Sequence, residues 1–550
     1  MILLLWACSR PPDGAEAPRD PWLDPEPPAL ADENDDPSVF EATITASAAT
    51  WPLSPELDVA GLAYNGTVPG PLIRAALGTE VIIHFENDLP AGLDSAIHWH
   101  GIEGNNASDG TPVTQDAVMP GDSFTYDFVV TRAGLFWYHP HVRGAQGVFE
   151  GLYGPLIVDD PDEPALRDLG VLPEDERVLV LADLSELGGT PWSVEVDNAL
   201  EVMNGTEGEH LLVNGREDPV FEVAAGEPVR LRIGNSSITR FWRLAVPGHT
   251  LYRIGGQGGL LDRVRVEGGM VDASISGGDE TQVDLGYERG EILLAPGERA
   301  DVVLVPNGAA GDELELVWKD FARGRHGMWM EGDTMVMGDV EDDGTRPNET
   351  VATFRLIEGS DAGWALDEGD PILGAVGRSV GAVPASGALD WSGDLAMTFD
   401  EEMDMWQDEA GNWQMSTELY VDGSAWMEDM MGGPSQSLAP TAVHARIGDV
   451  IGWELRNQSH MAHPLHIHGF GFQPISYAHV DEEAGTITSW DVGYDEYVDT
   501  ILLPGETSVF VRMAIADPVG GGAAAGRWMR HCHILQHGEN GMMSELVVDP

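Results

Sequence analysis

One pattern recurs three times along this chain and limits what it can fold into. LAYNGTVPGPLIRAALGTEVIIHFEND (62–88) runs through a turn, an extended stretch, a glycine-centred turn and a strand in which apolar and polar residues alternate. LLVNGREDPVFEVAAGEPVRLRIGNSS (211–237) repeats that order, and ELYVDGSAWMEDMMGG…AVHARIGDVIGWELRNQS (418–459) repeats it with an insertion. Alternation with a period of two puts one face of a strand into a core and leaves the other to water. Three copies at intervals of roughly 150–210 residues therefore predict three related β-sandwich domains. The expected boundaries fall in acidic, turn-forming stretches such as DDPDEP (159–164) and EDDGTRPN (341–348). They give domains at 38–160, 161–345 and 391–550, with a linker at 346–390.

Composition agrees with short strands joined by turns: 67 glycines and 36 prolines are spread over 550 residues, too many residues for one ordinary core. Asp and Glu number 93 against 28 Lys and Arg, a formal net charge of −65. Such a surface repels nucleic-acid phosphates, which excludes nucleic acid as a partner, and it attracts cations. A solvated acidic face suited to a salty or extracellular setting is the plainer meaning of the same charge. Two cysteines allow one disulfide at most, so this is no disulfide scaffold.

The first residues, MILLLWACSR, end in Leu5-Trp6-Ala7-Cys8, which resembles the lipobox of bacterial lipoproteins. That likeness implies a lipid anchor at Cys8 and an exported protein, periplasmic or at the cell surface; an ordinary irregular start is the alternative. The proline- and acid-rich stretch up to Pro37 has little to bury and is expected to be a disordered tether. No run of 18 or more apolar residues follows, so no membrane-spanning helix is expected.

Ten of the seventeen histidines fall into four short clusters. They are His98-Trp99-His100, His139-Pro140-His141, His463-Pro464-Leu465-His466-Ile467-His468, and His531-Cys532-His533 with His537. In a strand, residues i and i+2 point to one face, so each H-x-H pair aims two imidazoles at a common point. Four pairs supply eight imidazoles, too many for one metal ion but suited to three copper ions sharing a cavity. Cys532, between His531 and His533, then faces the other way. There it can meet His537 and His463, and two histidines, a thiolate and a distant thioether make a blue-copper electron-transfer site. Met542 is placed for the weak axial position, with Met543 its rival. Electrons could cross from Cys532 to its covalent neighbours over on the order of 10 Å, at about 3.3 Å per residue plus side chains. A one-electron acceptor feeding a cluster of three coppers suits the four-electron reduction of dioxygen to two waters.

HWHG (98–101), GLFWYHPH (134–141), HPLHIHG (463–469) and HCHILQHGENGM (531–542) resemble the motifs of the multicopper oxidase family, in the same order. So do DGTPVTQDAVMPG (109–121), GLYGPLIV (151–158), LAPGERADVVL (294–304) and VDTILLPGE (498–506), and the likeness runs from about residue 38 to the C-terminus. The resemblance implies an all-β fold of three tandem cupredoxin-like Greek-key β-sandwich domains holding four copper ions. It places type 1 copper on His463, Cys532, His537 and Met542, and type 2 copper on His98 and His466. One type 3 copper would take His100, His139 and His533, and the other His141, His468 and His531. Asp109 matches the family acid that helps deliver protons at the cluster. Where many bacterial members carry glutamate directly after the second type 1 histidine this chain has Gly538, so Glu539 either substitutes or the second proton route differs.

The resemblance implies an oxidase, expected to act as a monomer on dioxygen and a reducing substrate. A copper carrier or non-catalytic interaction protein on the same fold is the alternative, and it should have lost ligands that are all present here. The substrate is either a low-valent metal ion such as Cu(I) or, in laccase fashion, a phenol or aromatic amine. For the metal ion speak methionines interleaved with acids: Met328 and Met330 in HGMWMEGDTMVM (326–337), Met403 and Met405 in MDMWQDEAGNWQM (403–415), and Met427 and Met430 in WMEDMM (426–431). Thioethers suit Cu(I) by softness, although methionine also serves simply as core packing. His326, at the head of the first methionine segment, is a further candidate soft-metal ligand.

Overall fold

The computed structural model describes residues 20–550 apart from 192–198, 277–281, 332–333, 341–342, 361–362, 384–395, 408–412, 427–432, 482–484 and 494. The chain is all-β and builds three pairs of packed sheets in sequence. The first pair joins a four-stranded sheet containing Val39–Ser54 and Glu80–Asp88 to a second one containing Ile97–His100 and Gly134–Pro140. Glu80–Asp88 shows why: Val81, Ile83 and Phe85 are fully buried, while the residues between them are not. These side chains meet Trp99, Phe136 and Tyr138 from the opposing sheet in one apolar core.

The threefold repeat is visible in strand pairing. Val39–Ser54 runs parallel to Glu80–Asp88, Asp175–Leu184 parallel to Val229–Asn235, and Ala396–Gln407 parallel to Val450–Asn457. The partner sheets each hold a second parallel pair, Ile73–Ala76 with Gly154–Asp159, Val220–Ala224 with Glu349–Ile357, and Val443–Arg446 with Met543–Asp549. Parallel neighbours cannot be joined by a tight hairpin, so each repeat must cross between its two sheets, as Greek-key sandwiches do. One short strand breaks the tandem order: Ser274–Ser276, from the second repeat, pairs with Thr486–Asp491 at the edge of the third repeat's sheet.

Two boundaries differ from the sequence expectation. Asp20 to Pro37 is no free tether: Asp24 N–H donates to Val220 O at 2.8 Å and Val220 N–H to Trp22 O at 2.7 Å. Further along, Leu72 N–H donates to Pro28 O and Leu30 N–H to Leu72 O, both at 2.8 Å. The Asn214 amide also donates to Pro25 O at 2.7 Å. The segment thus spans the first and second pairs of sheets through its backbone, which composition does not report. Residues 1–19, including Cys8, lie outside the described residues. The linker expected at 346–390 starts too early as well. Glu349–Ile357 is a strand of the second repeat, with Val351, Phe354 and Leu356 in its core, and EDDGTRPN precedes that strand instead of closing the domain. Beyond it, Ile372 and Leu373 pack on Leu166, Ile254 and Leu260 at the flank of that repeat.

The methionine segments form strands. His326–Glu331 pairs with Thr334–Asp339, setting Met328 opposite Met337 and Met330 opposite Met335. Ala396–Gln407 pairs with Trp413–Val421, setting Met403 opposite Thr417 and Met405 opposite Met415. Met427 and Met430 lie outside the described residues. Among the described residues no helix is long and apolar enough to cross a membrane.

The N-terminal strap yields a direct test. Deleting residues 1–30 removes its bonds to Leu72, Val220 and Asn214 and should lower the midpoint of thermal unfolding by several degrees, with β-sheet circular dichroism of the folded state unchanged. An unaltered midpoint would show that the strap adds nothing to the joint it crosses.

Candidate metal centre

Strand register assembles the histidines. Ile97–His100 pairs antiparallel with Gly134–Pro140, so His98 stands opposite His139 and His100 opposite Trp137. In the third repeat His463–Ile467 pairs with Gly526–Cys532, so His466 stands opposite His531 and Leu465 opposite Cys532. The two strand pairs then meet face to face. His98 stacks on His468 with ring centroids 4.0 Å apart, and His100 on His466 at 3.8 Å. His141 and His531 rings lie 5.2 Å apart, and His139 and His533 rings 5.5 Å. All eight side chains are buried, at the seam between the first and last repeats.

Six of the rings are fastened through one nitrogen, while several nitrogens have no partner among the described residues. His98 Nδ1–H donates to Asp109 O at 2.7 Å, His139 Nδ1–H to Pro140 O at 3.0 Å and His531 Nδ1–H to Cys532 O at 2.8 Å. His466 Nδ1–H donates to Asp499 O at 2.9 Å. Among the described residues, His98 Nε2, His139 Nε2, His466 Nε2, His100 Nδ1 and both nitrogens of His533 have no hydrogen-bond partner. His531 Nε2 sits 3.0 Å from His468 Nε2 and 3.3 Å from His141 Nε2. An unsatisfied buried polar atom costs roughly 1–3 kcal/mol, so six in one cavity approach the ~10 kcal/mol stability of a whole domain. Something must bind those lone pairs. Burial, with neighbouring imidazoles adding to it, drives the pKa of seven of the eight down, that of His531 to about 4. Neutral imidazole is the metal-binding form, and the donor set fits bound copper.

Cys532 lies on the opposite face of its strand. Its Sγ is 3.5 Å from His463 Nδ1 and 3.6 Å from His537 Nδ1, and those two nitrogens are 3.2 Å apart. Donors at about 2.1 Å from one ion, at the corners of a triangle, would be about 3.6 Å apart, so the three fit a single ion. The far ring nitrogens are fastened: Ser459 Oγ lies 2.8 Å from His463 Nε2, and His537 Nε2–H donates to Met203 O at 3.0 Å. Burial, with Glu401 adding to it, pushes the Cys532 thiol pKa up, and a bound cation reverses that by stabilising the thiolate. Met542 is wholly buried in the same core cluster as Cys532. Met543 is instead in register with His531 and belongs to a different cluster, which separates the two rivals.

Two carboxylates reach the histidine cluster. The Asp109 carboxylate accepts from His468 Nδ1–H at 3.1 Å and from the Thr111 hydroxyl at 3.1 Å. Gly110 makes this approach possible: its φ is +77°, and a Cβ there would lie 1.7 Å from Ile97 O. Glu539 accepts from Ala145 N–H at 3.0 Å, and burial raises its pKa. It lines a small cavity with His139, His141, His531, Gly538 and Met543, so the carboxylate reaches the space beside the cluster despite its shift of one position in sequence.

Sequence reasoning missed a third carboxylate. Asp499 accepts two bonds of 2.6 Å from Arg299 and one of 3.0 Å from His100 Nε2–H, and Thr500 Oγ1 lies 2.9 Å from the same His100 nitrogen. Arg299 belongs to the second repeat, which thereby braces the seam. Both residues sit in stretches already noted as family-like, VDTILLPGE and LAPGERADVVL, but nothing in a one-dimensional pattern pairs them.

Multicopper oxidase family models match residues 45–163 and 410–550, the segments that carry the four histidine clusters. The chain is 28% identical over 536 residues to the multicopper oxidase MmcO of Mycobacterium tuberculosis, covering 92% of this chain and 87% of that one. It is 27% identical over 519 residues to laccase-2 of Cryptococcus neoformans var. grubii, covering 89% and 81%. Among solved structures it resembles a multicopper oxidase from Campylobacter jejuni, described as a metallo-oxidase, with a TM-score of 0.69, 22% identity and coverage of 96% and 95%. With the ligand geometry and these relatives in agreement, the chain belongs to the multicopper oxidase family and is an oxidoreductase.

Proposed function

We propose that this oxidase takes single electrons from a low-valent metal ion such as Cu(I) at the Cys532 centre and passes them to dioxygen at the histidine cluster, forming two waters per four electrons. The observation that carries this reading is the strand Gly526–Cys532 running on to His533. One residue, Cys532, belongs to a three-donor centre, while the residues on either side of it belong to the eight-imidazole cluster.

In this reading His463, Cys532, His537 and Met542 hold a type 1 copper and His98 and His466 a type 2 copper. His100, His139 and His533 hold one type 3 copper, and His141, His468 and His531 the other, four ions in all. Bound copper supplies one-electron storage at the first centre and four-electron reduction of dioxygen at the second. The protein supplies the rest. The carbonyls of Asp109, Pro140, Asp499 and Cys532 fix which nitrogen of four rings faces the cavity. The Asp109 carboxylate, bonded to His468, and the Glu539 carboxylate, in the cavity beside His141 and His531, deliver protons to the space where oxygen is reduced.

A metal-ion substrate is favoured over a phenol by the cover on His537. Its ring is wholly buried and its outer nitrogen is bonded to Met203 O, in the helix Ala199–Asn204. No ring edge is open for a phenol to touch, so electrons have to enter through protein groups around it. The relative described as a metallo-oxidase agrees with that, and the relatives named laccases keep the phenol as the competing substrate. The lipobox-like start and the acidic surface support export to the periplasm or cell surface, anchored through Cys8.

Two measurements test this. Cys532→Ser should abolish the blue absorption while most of the cluster copper stays bound, as read by metal analysis; loss of all copper would mean that the two centres form as one unit. Oxygen uptake by the copper-loaded protein should be fast with Cu(I) and slow with a simple phenol, with Cys532→Ser as the background for spontaneous Cu(I) oxidation. A phenol rate exceeding the Cu(I) rate would make the protein a laccase.

A further inference from the structure

The turn that leads into His463 is gripped from outside its own repeat. Ala462 N–H donates to Arg323 O at 2.7 Å, and Gly324, with a φ of +81°, lies so close that a Cβ there would meet His460 O at 2.4 Å. Arg323 belongs to the second repeat, in the connection between the strands Glu313–Lys319 and His326–Glu331. Its own N–H and that of Gly324 donate to Asp343 Oδ2 at 2.9 and 2.8 Å, which fixes the backbone that carries the side chain. The side chain is only 2% exposed. Nη1 is turned toward Met461 Sδ, 3.6 Å away, and Met461 is wholly buried in the core cluster that holds Cys532 and Met542. The other edge of the guanidinium, Nη2 and Nε, meets Glu207 at 2.9 and 3.1 Å. That carboxylate is shared, since it also lies 2.6 Å from Arg346 Nη1 and 3.5 Å from Arg240 Nη1. Arg323 is thus a fixed, buried cation beside the Cys532 centre, and its counter-charge is divided among three guanidiniums.

We propose that Arg323 sets the reduction potential of the Cys532 centre, as a buried positive charge that favours the reduced state. The inference rests on the type 1 reading of that centre given above and deepens it. Two neutral imidazoles and one thiolate leave the site with one positive charge when it holds Cu(II) and none when it holds Cu(I). A cation fixed nearby destabilises the oxidised form and so raises the potential. Burial leaves this interaction little screened by salt, and a guanidinium keeps its proton inside proteins. The field reaches the ligands themselves. Burial lowers the pKa of His463 and His537 and raises that of Cys532; the Arg323 charge adds to the first two effects and opposes the third. At an effective dielectric of about 20, a unit charge about 10 Å away shifts a one-electron equilibrium on the order of tenfold. The second repeat supplies no ligand to the centre, but through this charge it selects which donors the centre can oxidise.

The test is a redox titration of the blue absorption in the copper-loaded protein. Arg323→Gln should shift the reduction equilibrium about tenfold toward the oxidised form, a fall of about 59 mV for a one-electron couple. Glu207→Gln, which removes the counter-charge, should raise the potential instead. Arg323→Lys keeps a positive charge and should stay nearer to the wild type than Arg323→Gln does. An unchanged potential in both Arg323→Gln and Glu207→Gln, with the blue absorption intact, would overturn the proposal and leave the type 1 reading standing. If one of these two substitutions abolishes the blue absorption, the other decides. An equal fall in Arg323→Lys and Arg323→Gln would also overturn it, because the effect would then follow the shape of the side chain and not its charge. A copper-loaded wild type without blue absorption would overturn the type 1 reading itself, and this proposal with it.

Discussion

Eight imidazoles meet at the seam between the first and last repeats, several of them with nitrogens that no described residue satisfies, and most of the architecture follows from holding them there. An apolar core would never retain such a group, since each orphaned nitrogen weakens the fold. Six of the eight rings are fastened through an outer nitrogen to backbone carbonyls and carboxylates, so the inner lone pairs converge on shared points. Desolvation lowers the pKa of seven of the rings, which favours the neutral form whose lone pairs are free for a cation. The same burial that makes unpartnered nitrogens costly suits the cavity to a metal ion, the condition under which metal binding adds to folding stability.

The second repeat contributes no histidine to either centre, yet it is no spacer. Arg299 reaches the seam to neutralise Asp499, which is itself bonded to His100, and the helix Ala199–Asn204 covers the Cys532 centre through Met203. The ring of His537 is thereby closed to solvent. Placement of one short helix thus shields that centre as directly as its ligands define it.

The alternation of β-structure explains how far sequence reading reaches. Because neighbouring residues in a strand point to opposite faces, His531-Cys532-His533 had to serve two different sites, and the structure separates them in that way. The same rule separates Met542, buried with Cys532, from Met543, in register with His531. It was less informative at the edges. Asp20 to Pro37 has few apolar side chains and reads as loose, but it is pinned through backbone groups whose partners are Val220 and Leu72. The turn before Glu349–Ile357 looks like a domain boundary, although the segment's own alternation is that of a strand.

Sequence alone therefore determined the all-β class, the repeat, the four histidine clusters and the division of labour around Cys532. Each of these rests on residues within a few positions of one another and on the fixed period of a strand. Only the tertiary structure decided that Asp499 joins Arg299 and His100, that Glu539 reaches the cavity from one position beyond the expected one, and that Met203 closes over His537. Those contacts join residues up to some four hundred positions apart, and a backbone turn or a helix end sets them. A local pattern carries no information about which distant surface will face it once the sheets have packed.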